Sequence, residues 1–372
     1  MLVGGGHAHV QVIADWIHRP MPDVDLWVVS AEARSPYSGM VPGWLAGLYD
    51  YDEICIDVAS LCARAQVIFV EDEMVGMDPG SRRIALRDGG FLDYDVLSLD
   101  VGSTLDPPAI AGATVLPLRP LSRLRARWDT LLAERADAGG EPLSVVGVGG
   151  GAAGFEALLA LHRRVADHRP VAAVLVTRSD RLLPGLARGA SRRAAHVLAG
   201  RGIALRTGQD YDATSPAAAA RADVILWATG ARPHAWQAAC GLATDADGYF
   251  RIDRFLRSTS HSEVFACGDC AAWTDPLPKA GVYAVRMGPA LIRNLRAAFG
   301  DGHPRAYRPQ RRHLVLLSTA DRQAIASWGP IAFSGTWVWR WKDRIDRRFV
   351  DRFRDPARAG QPRNPRSASR ES

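Results

Sequence analysis

The chain has 372 residues, 47% of them hydrophobic and 23% charged, with a formal net charge of +6; this excludes wholesale disorder and provides for two or three domains. No apolar run approaches the roughly 20 residues needed to span a bilayer, and residues 1–9 lack the charged and apolar regions of a signal peptide. The five cysteines (Cys55, Cys62, Cys240, Cys267, Cys270) show no framework spacing, so a reducing, cytoplasmic setting is expected, and the arginines are scattered without a nucleic-acid-binding motif.

In chain order, the first feature is GGGHAH, residues 4–9. It reads as a dinucleotide-binding fingerprint with Gly4 and Gly6 in the first two glycine places and His9 in the third. A helix over 10–18, a turn at 20–23 and the strand LWVVS follow. Ser30 ends that strand where an acidic ribose-binding residue normally sits, and Glu32 is the nearest carboxylate. The stretch YDVLSLDVGS, residues 94–103, is an apolar strand ending in a small-residue turn at Gly102, suited to returning the chain to a nucleotide site. DAGGE, 137–141, reads as a surface loop.

A second fingerprint then appears in fuller form. The strand Leu143–Val148 runs into Gly149, Gly151 and Gly154 and then into an Ala/Leu-rich helix. Gly149 permits the tight turn, Gly151 lets the backbone close on a pyrophosphate, and Gly154 allows close helix–strand packing. Glu156 lies in the first turn of that helix, either as an ordinary N-terminal carboxylate or as a site residue. The strand VAAVLVT ends at Thr177 beside Arg178, and the lack of an acid there tilts the nucleotide toward one bearing a 2′-phosphate. TSPAAAARAD, 214–223, reads as a loop or short helix. ADVILWATG closes the second unit at Gly230, and HSEVFACGDCA brings a further strand into Gly268 and Asp269, whose carboxylate is placed to accept from a sugar-like hydroxyl.

Toward the C-terminus, Lys279 stands ahead of the helix AGVYAVRMG and is one of only two lysines, the other being Lys342. In a chain so committed to arginine, a lysine suggests a place that needs a compact ammonium. WVWRWKDRIDRRFVDRF, 337–353, reads as a helix with Trp337, Val338, Trp341, Ile345, Phe349 and Phe353 along one broad face, fit either for an anionic membrane surface or for packing on the core. Residues 354–372 are rich in Pro, Arg and Ser and are expected to be disordered.

The order of these features resembles the two-dinucleotide-binding-domain flavoproteins, the pyridine nucleotide-disulfide oxidoreductase superfamily. Within it, GGGHAH, PYSGMVPG (36–43, with Ser38), KAGVYAVRMGP (279–289) and WKDRIDRRF (341–349) resemble a subgroup similar to type II NADH dehydrogenases and often fused ahead of a selenide, water dikinase. The resemblance implies an α/β fold of two Rossmann-like domains. The FAD domain, 1–113 and 231–302, is interrupted by an NAD(P) domain, 114–230, and followed by a small C-terminal α+β piece, 303–353. It further implies FAD and NAD(P)H as cofactors and a functional link to selenide, water dikinase. GGGHAH is the usual form in that subgroup, so His9 implies looser helix–strand packing rather than damage. His7 either touches the FAD pyrophosphate or the flavin edge, or is a solvated first-turn residue. Lys279 is expected to face the flavin pyrimidine and stabilise its reduced anion, with Glu156 facing the nicotinamide stacking zone.

Three functions follow as expectations. The leading one passes a hydride from NAD(P)H to FAD and then electrons to a quinone-like acceptor, with peripheral membrane contact through the C-terminal helix. The others are a dithiol or selenium-linked reductase, suggested by CGDC, and a flavin-bearing interaction or sensor protein. CGDC opens no helix, where a thiol would gain a low pKa, and the region after the first unit's second strand, EARSPYSGM, has no cysteine. No His/Cys cluster has metal-ligand spacing.

Overall fold

Two parallel five-stranded sheets organise the chain in the computed structural model, which describes residues 1–135, 141–211, 222–275, 277–310 and 312–354. The first sheet has the spatial order Val264–Ala266, Leu97–Leu99, Leu2–Val3, Trp27–Ser30, Ile68–Glu71, all parallel. The second runs Thr114–Pro117, Val224–Trp227, Leu143–Val148, Val171–Thr177, Ala204–Thr207, again all parallel. Each has its fingerprint strand at the centre, where the strand order reverses and a crevice opens at the carboxyl ends. After building the second sheet the chain returns to the first, laying Val264–Ala266 beside Leu97–Leu99. The fold is therefore α/β with one Rossmann-like unit interrupting another.

The strands were readable because parallel strands are covered on both faces and so are near-continuous apolar runs. Leu143–Val148 and Val171–Thr177 fall where the sequence places them, and the first fingerprint helix spans His9–His18, one residue earlier than expected. A small antiparallel sheet of Met74–Asp78, Arg83–Leu86 and Phe91–Asp93 was not foreseen. The readings for 137–140, for most of 214–223 and for 355–372 lie outside the described residues.

The C-terminal piece is an antiparallel sheet of Leu314–Ser318, Ala324–Trp328 and Ile331–Gly335, followed by the helix Thr336–Asp351. The apolar face of that helix is divided between two environments. Val338 packs on Ala324 and Ala326 of the sheet, and Phe349, Val350 and Phe353 join the main core. Trp337 (56% exposed), Trp341 (38%) and Ile345 (41%) face outward. No helix among the described residues is long and apolar enough to cross a membrane.

Candidate functional site

The first fingerprint turns at Gly4, whose φ of 98° favours glycine and whose Cβ would lie 2.3 Å from the Asp100 carbonyl oxygen. His9 is fully buried, and its packing is not loose. Its Nδ1 lies 2.8 Å from the Gly4 carbonyl and its Nε2 2.8 Å from the Ser98 hydroxyl. A carbonyl only accepts, so Nδ1 carries the proton and Nε2 accepts from Ser98. Burial pushes this imidazole down to about 4, keeping it neutral. His9 thus holds helix to strand by hydrogen bonds where a glycine would do so by absence of a side chain.

His7 is also buried rather than solvated. Its Nε2 lies 2.8 Å from the Ser38 hydroxyl, its ring is 5.1 Å from Tyr37, and burial lowers it to about 4. Ser30 donates to the Glu32 carbonyl at 3.0 Å, and burial with the neighbouring Glu71 raises the Glu32 carboxyl to about 7.

The second fingerprint repeats the turn with Gly149 at φ 115°. Here the third glycine is obligatory, because a Cβ on Gly154 would lie 2.0 Å from the Gly149 carbonyl oxygen. Gly151, Gly102 and Gly230 each have nothing within 4 Å of a projected Cβ, so their open sides belong to the cavity they line.

That cavity, about 1830 Å³, runs past both fingerprints. It exceeds the roughly 300–1,000 Å³ of a pocket for one small ligand and suits two dinucleotides meeting end to end. The glycine cradles, the hydroxyls at both strand ends and this volume fit FAD and a pyridine nucleotide. Gly4, Gly6, His7, Ser30, Ser38, Gly102, Gly149, Gly151, Glu156, Gly230, Asp269 and Lys279 line it. Gly154 and Gly268 are not among its lining residues; Gly154 packs against the Gly149 carbonyl and Gly268 against Asp100 and Ala284.

Asp269 is engaged by Arg119, which also reaches Ser103 and, at 3.4 Å, the Lys279 carbonyl. Lys279 donates to the Ala271 carbonyl at 2.6 Å and sits 3.6 Å from the centre of the Tyr249 ring. Its ammonium therefore ties the GD turn to its own helix start, and burial lowers its pKa despite the nearby acids.

Glu156 belongs to a buried charge cluster. It accepts from the Ser318 N–H at 2.6 Å, while Lys342 donates to Asp346 at 2.6 Å and to the Gly39 carbonyl. Burial raises Glu156 to about 7, with Lys342 pulling the other way. Burial also opposes the charge on Lys342, yet Asp346 and Glu156 outweigh it and raise its pKa. All three line the cavity and join the second unit, the first unit and the C-terminal helix. Sequence reasoning missed Arg119, Lys342 and Asp346; the one available hint was that Lys342 is the other lysine.

Cys267 and Cys270 are fully buried and point their sulfurs at the Leu99 carbonyl, at 3.7 and 3.5 Å. Burial pushes Cys270 up to about 12 and Cys267 well above its ordinary value, so neither presents a thiolate.

The family described as pyridine nucleotide-disulphide oxidoreductase matches residues 1–288. A type II NADH:quinone oxidoreductase of Staphylococcus saprophyticus is 21% identical over 297 residues, 70% of this chain and 71% of that protein. The sulfide:quinone oxidoreductase of Aquifex aeolicus superposes with a TM-score of 0.76 at 17% identity, covering 95% of this chain and 90% of its own. NDH2 from Plasmodium falciparum, solved in complex with NADH, gives 0.75 at 12% identity over 95% and 96%. At these identities the solved structures share the fold.

Proposed function

The chain belongs to the pyridine nucleotide-disulphide oxidoreductase family and is an FAD-dependent NAD(P)H oxidoreductase, and from that premise we propose that its electrons pass to a quinone-like acceptor met at the C-terminal piece. FAD, when bound, takes a hydride from the nicotinamide and releases two electrons onward. We assign FAD to the unit formed by 1–113 and 231–302, held by Gly4, Gly6, His7, Ser30, Ser38, Gly102 and Asp269, with Gly268 shaping the turn. NAD(P)H falls to 114–230 through Gly149, Gly151 and Gly230, with Gly154 packing the helix against its turn. Arg178, exposed at the cavity wall without a partner among the described residues, supports a nucleotide with a 2′-phosphate. Glu156, at about 7, is suited to hold or release a proton near neutrality, and Lys342 keeps a cation beside it. Lys279 orients the GD turn and adds positive charge on the flavin side.

One observation carries the acceptor assignment. Ile345 lines the cavity and also belongs to an exposed apolar strip with Trp337 and Trp341, whose rings stack 6.4 Å apart. Arg348 and Arg352, exposed and also lining the cavity, flank it. A cavity opening beside tryptophans and arginines favours an apolar acceptor drawn from an anionic membrane surface. The dithiol reading stands behind, since Cys267 and Cys270 offer no reactive thiolate.

The test is reduction of the bound flavin by NADH or NADPH, followed by a menadione-type quinone or oxidised dithiothreitol. Reoxidation by quinone and flotation with anionic liposomes are expected. Reoxidation by the disulfide alone would overturn the assignment.

A further inference from the structure

The two fingerprints differ beneath their helix starts. In the first unit the Asp100 carboxylate lies under the turn, its Oδ2 accepting from the Ala8 N–H at 2.9 Å and the His9 N–H at 3.4 Å. A Cβ on Gly6 would lie 2.1 Å from the Asp100 Cγ, whereas at Gly151, its counterpart, nothing lies within 4 Å. The residue matching Asp100 in the second unit is Ala228, since the two carbonyls stand equally close, 2.3 Å, to a Cβ on Gly4 and on Gly149. The positive end of the first helix is thus already met by a carboxyl group of the protein's own.

We propose that Asp100 is a positioning residue that competes with the FAD pyrophosphate for the amides of the first fingerprint, holding the cradle in shape without flavin and making the flavin exchangeable. This rests on FAD occupying the first unit. With the Ala8 and His9 amides engaged, a pyrophosphate is left the amides of Gly5, Gly6 and His7, and it meets a like charge behind them. The helix contributes His9, fixed neutral, to the surroundings of Asp100. The GD turn contributes the Cys267 and Cys270 thiols and Asp269, whose charge Arg119 holds. The later helix Gly281–Ala298 brings the uncharged Ala284 and Met287 to Gly268 beside it. Burial raises Asp100 to about 7 against the pull of the two amides, so its charge, and with it the competition, grows as pH rises through neutrality.

FAD titrated into the flavin-free full-length protein, followed by flavin fluorescence at pH 6 and pH 8, tests this in wild type, Asp100→Asn and Asp100→Ala. Asn keeps an acceptor for the two amides and removes the charge. It is expected to bind FAD about tenfold tighter than wild type at pH 8 and nearly equally at pH 6. Asp100→Ala should also bind tightly but melt at a lower temperature without flavin, with circular dichroism confirming that it folds. Equal affinities of wild type and Asp100→Asn at pH 8, or a wild-type affinity that does not weaken from pH 6 to pH 8, would overturn the proposal while leaving the flavin assignment intact. Failure of every form to bind FAD, with NAD(P)H still bound, would sink both.

Discussion

The two dinucleotide-binding units follow one plan and fasten helix to closing strand in opposite ways. The second does it with small residues: Gly154 lies against the Gly149 carbonyl, and Ala228 fills the place behind it. The first does it with polar side chains, His9 bridging the Gly4 carbonyl and Ser98, and Asp100 accepting from the helix amides. Seven residues beyond the first glycine the pattern inverts. Gln11 of the first helix donates to the Val285 carbonyl at 2.9 Å, while Glu156 of the second accepts from Ser318. The third glycine is thus one solution to a packing requirement, and a buried, fully satisfied histidine is another.

The sharpest way to break this comparison is to move the histidine. Gly154→His places a side chain where a Cβ would meet a backbone oxygen at 2.0 Å, and a loss exceeding about 4 kcal/mol is expected because the main chain must shift. NADH binding should vanish by calorimetric titration while FAD occupancy stays measurable. Adding Leu226→Ser, which supplies the hydroxyl that Ser98 provides in the first unit, should not rescue it. Rescue would show that the two turns are interchangeable.

The reverse exchange is milder. His9→Gly leaves the Ser98 hydroxyl and the Gly4 carbonyl without partners and opens a void, at a cost of roughly 2–4 kcal/mol. Denaturant unfolding monitored at the flavin should report the loss in the first unit. An unchanged midpoint would mean that the imidazole merely fills space.

Why the sequence announces the frame and not these fastenings is a matter of range. Strands such as Leu143–Val148 are short apolar runs bounded by glycine turns, legible within ten residues. Asp100 meets Ala8 across 92 positions, Arg119 meets Asp269 across 150, and Lys342 meets Gly39 across 303, and no local period encodes such pairs. Lys279 stands out in the sequence as one of two lysines, but its ammonium is directed to the Ala271 carbonyl and the Tyr249 ring, partners that only the fold brings to it. The split of the C-terminal helix, with Val338 inside and Trp337 outside, likewise depends on the three-stranded sheet beneath it.

Glu156→Gln gives the second helix the amide that the first already has in Gln11. The folded protein holds the Glu156 proton up to about pH 7, whereas the unfolded chain releases it near its ordinary value of 4.5. The stabilisation is therefore fully present below pH 4.5 and lost as pH rises through 7, to the extent of about 1–3 kcal/mol. Thermal melts of wild type and variant between pH 5 and pH 8 should diverge, the variant gaining relative to wild type as pH rises. Parallel curves would place the raised pKa elsewhere.

The smallest effect is expected at the cysteines, and it bears on what the polar interior of the first unit is for. Cys267 and Cys270 lie beside Asp100 with both sulfurs at the Leu99 carbonyl, fully buried and held as thiols. As small buried hydrophobes that donate weakly, each should cost about 1 kcal/mol when changed to alanine. Turnover with NAD(P)H and quinone should stay within about twofold of wild type, because neither sulfur reaches the cavity wall or ionises near neutrality. Cys267→Ala and Cys270→Ala, assayed with full FAD occupancy, separate structure from chemistry: lost turnover with flavin retained would make the pair redox-active and return the dithiol reading to the front. Retained turnover would leave His9, Ser98, Asp100 and the two thiols as one structural cluster, the first unit's substitute for a glycine and an alanine.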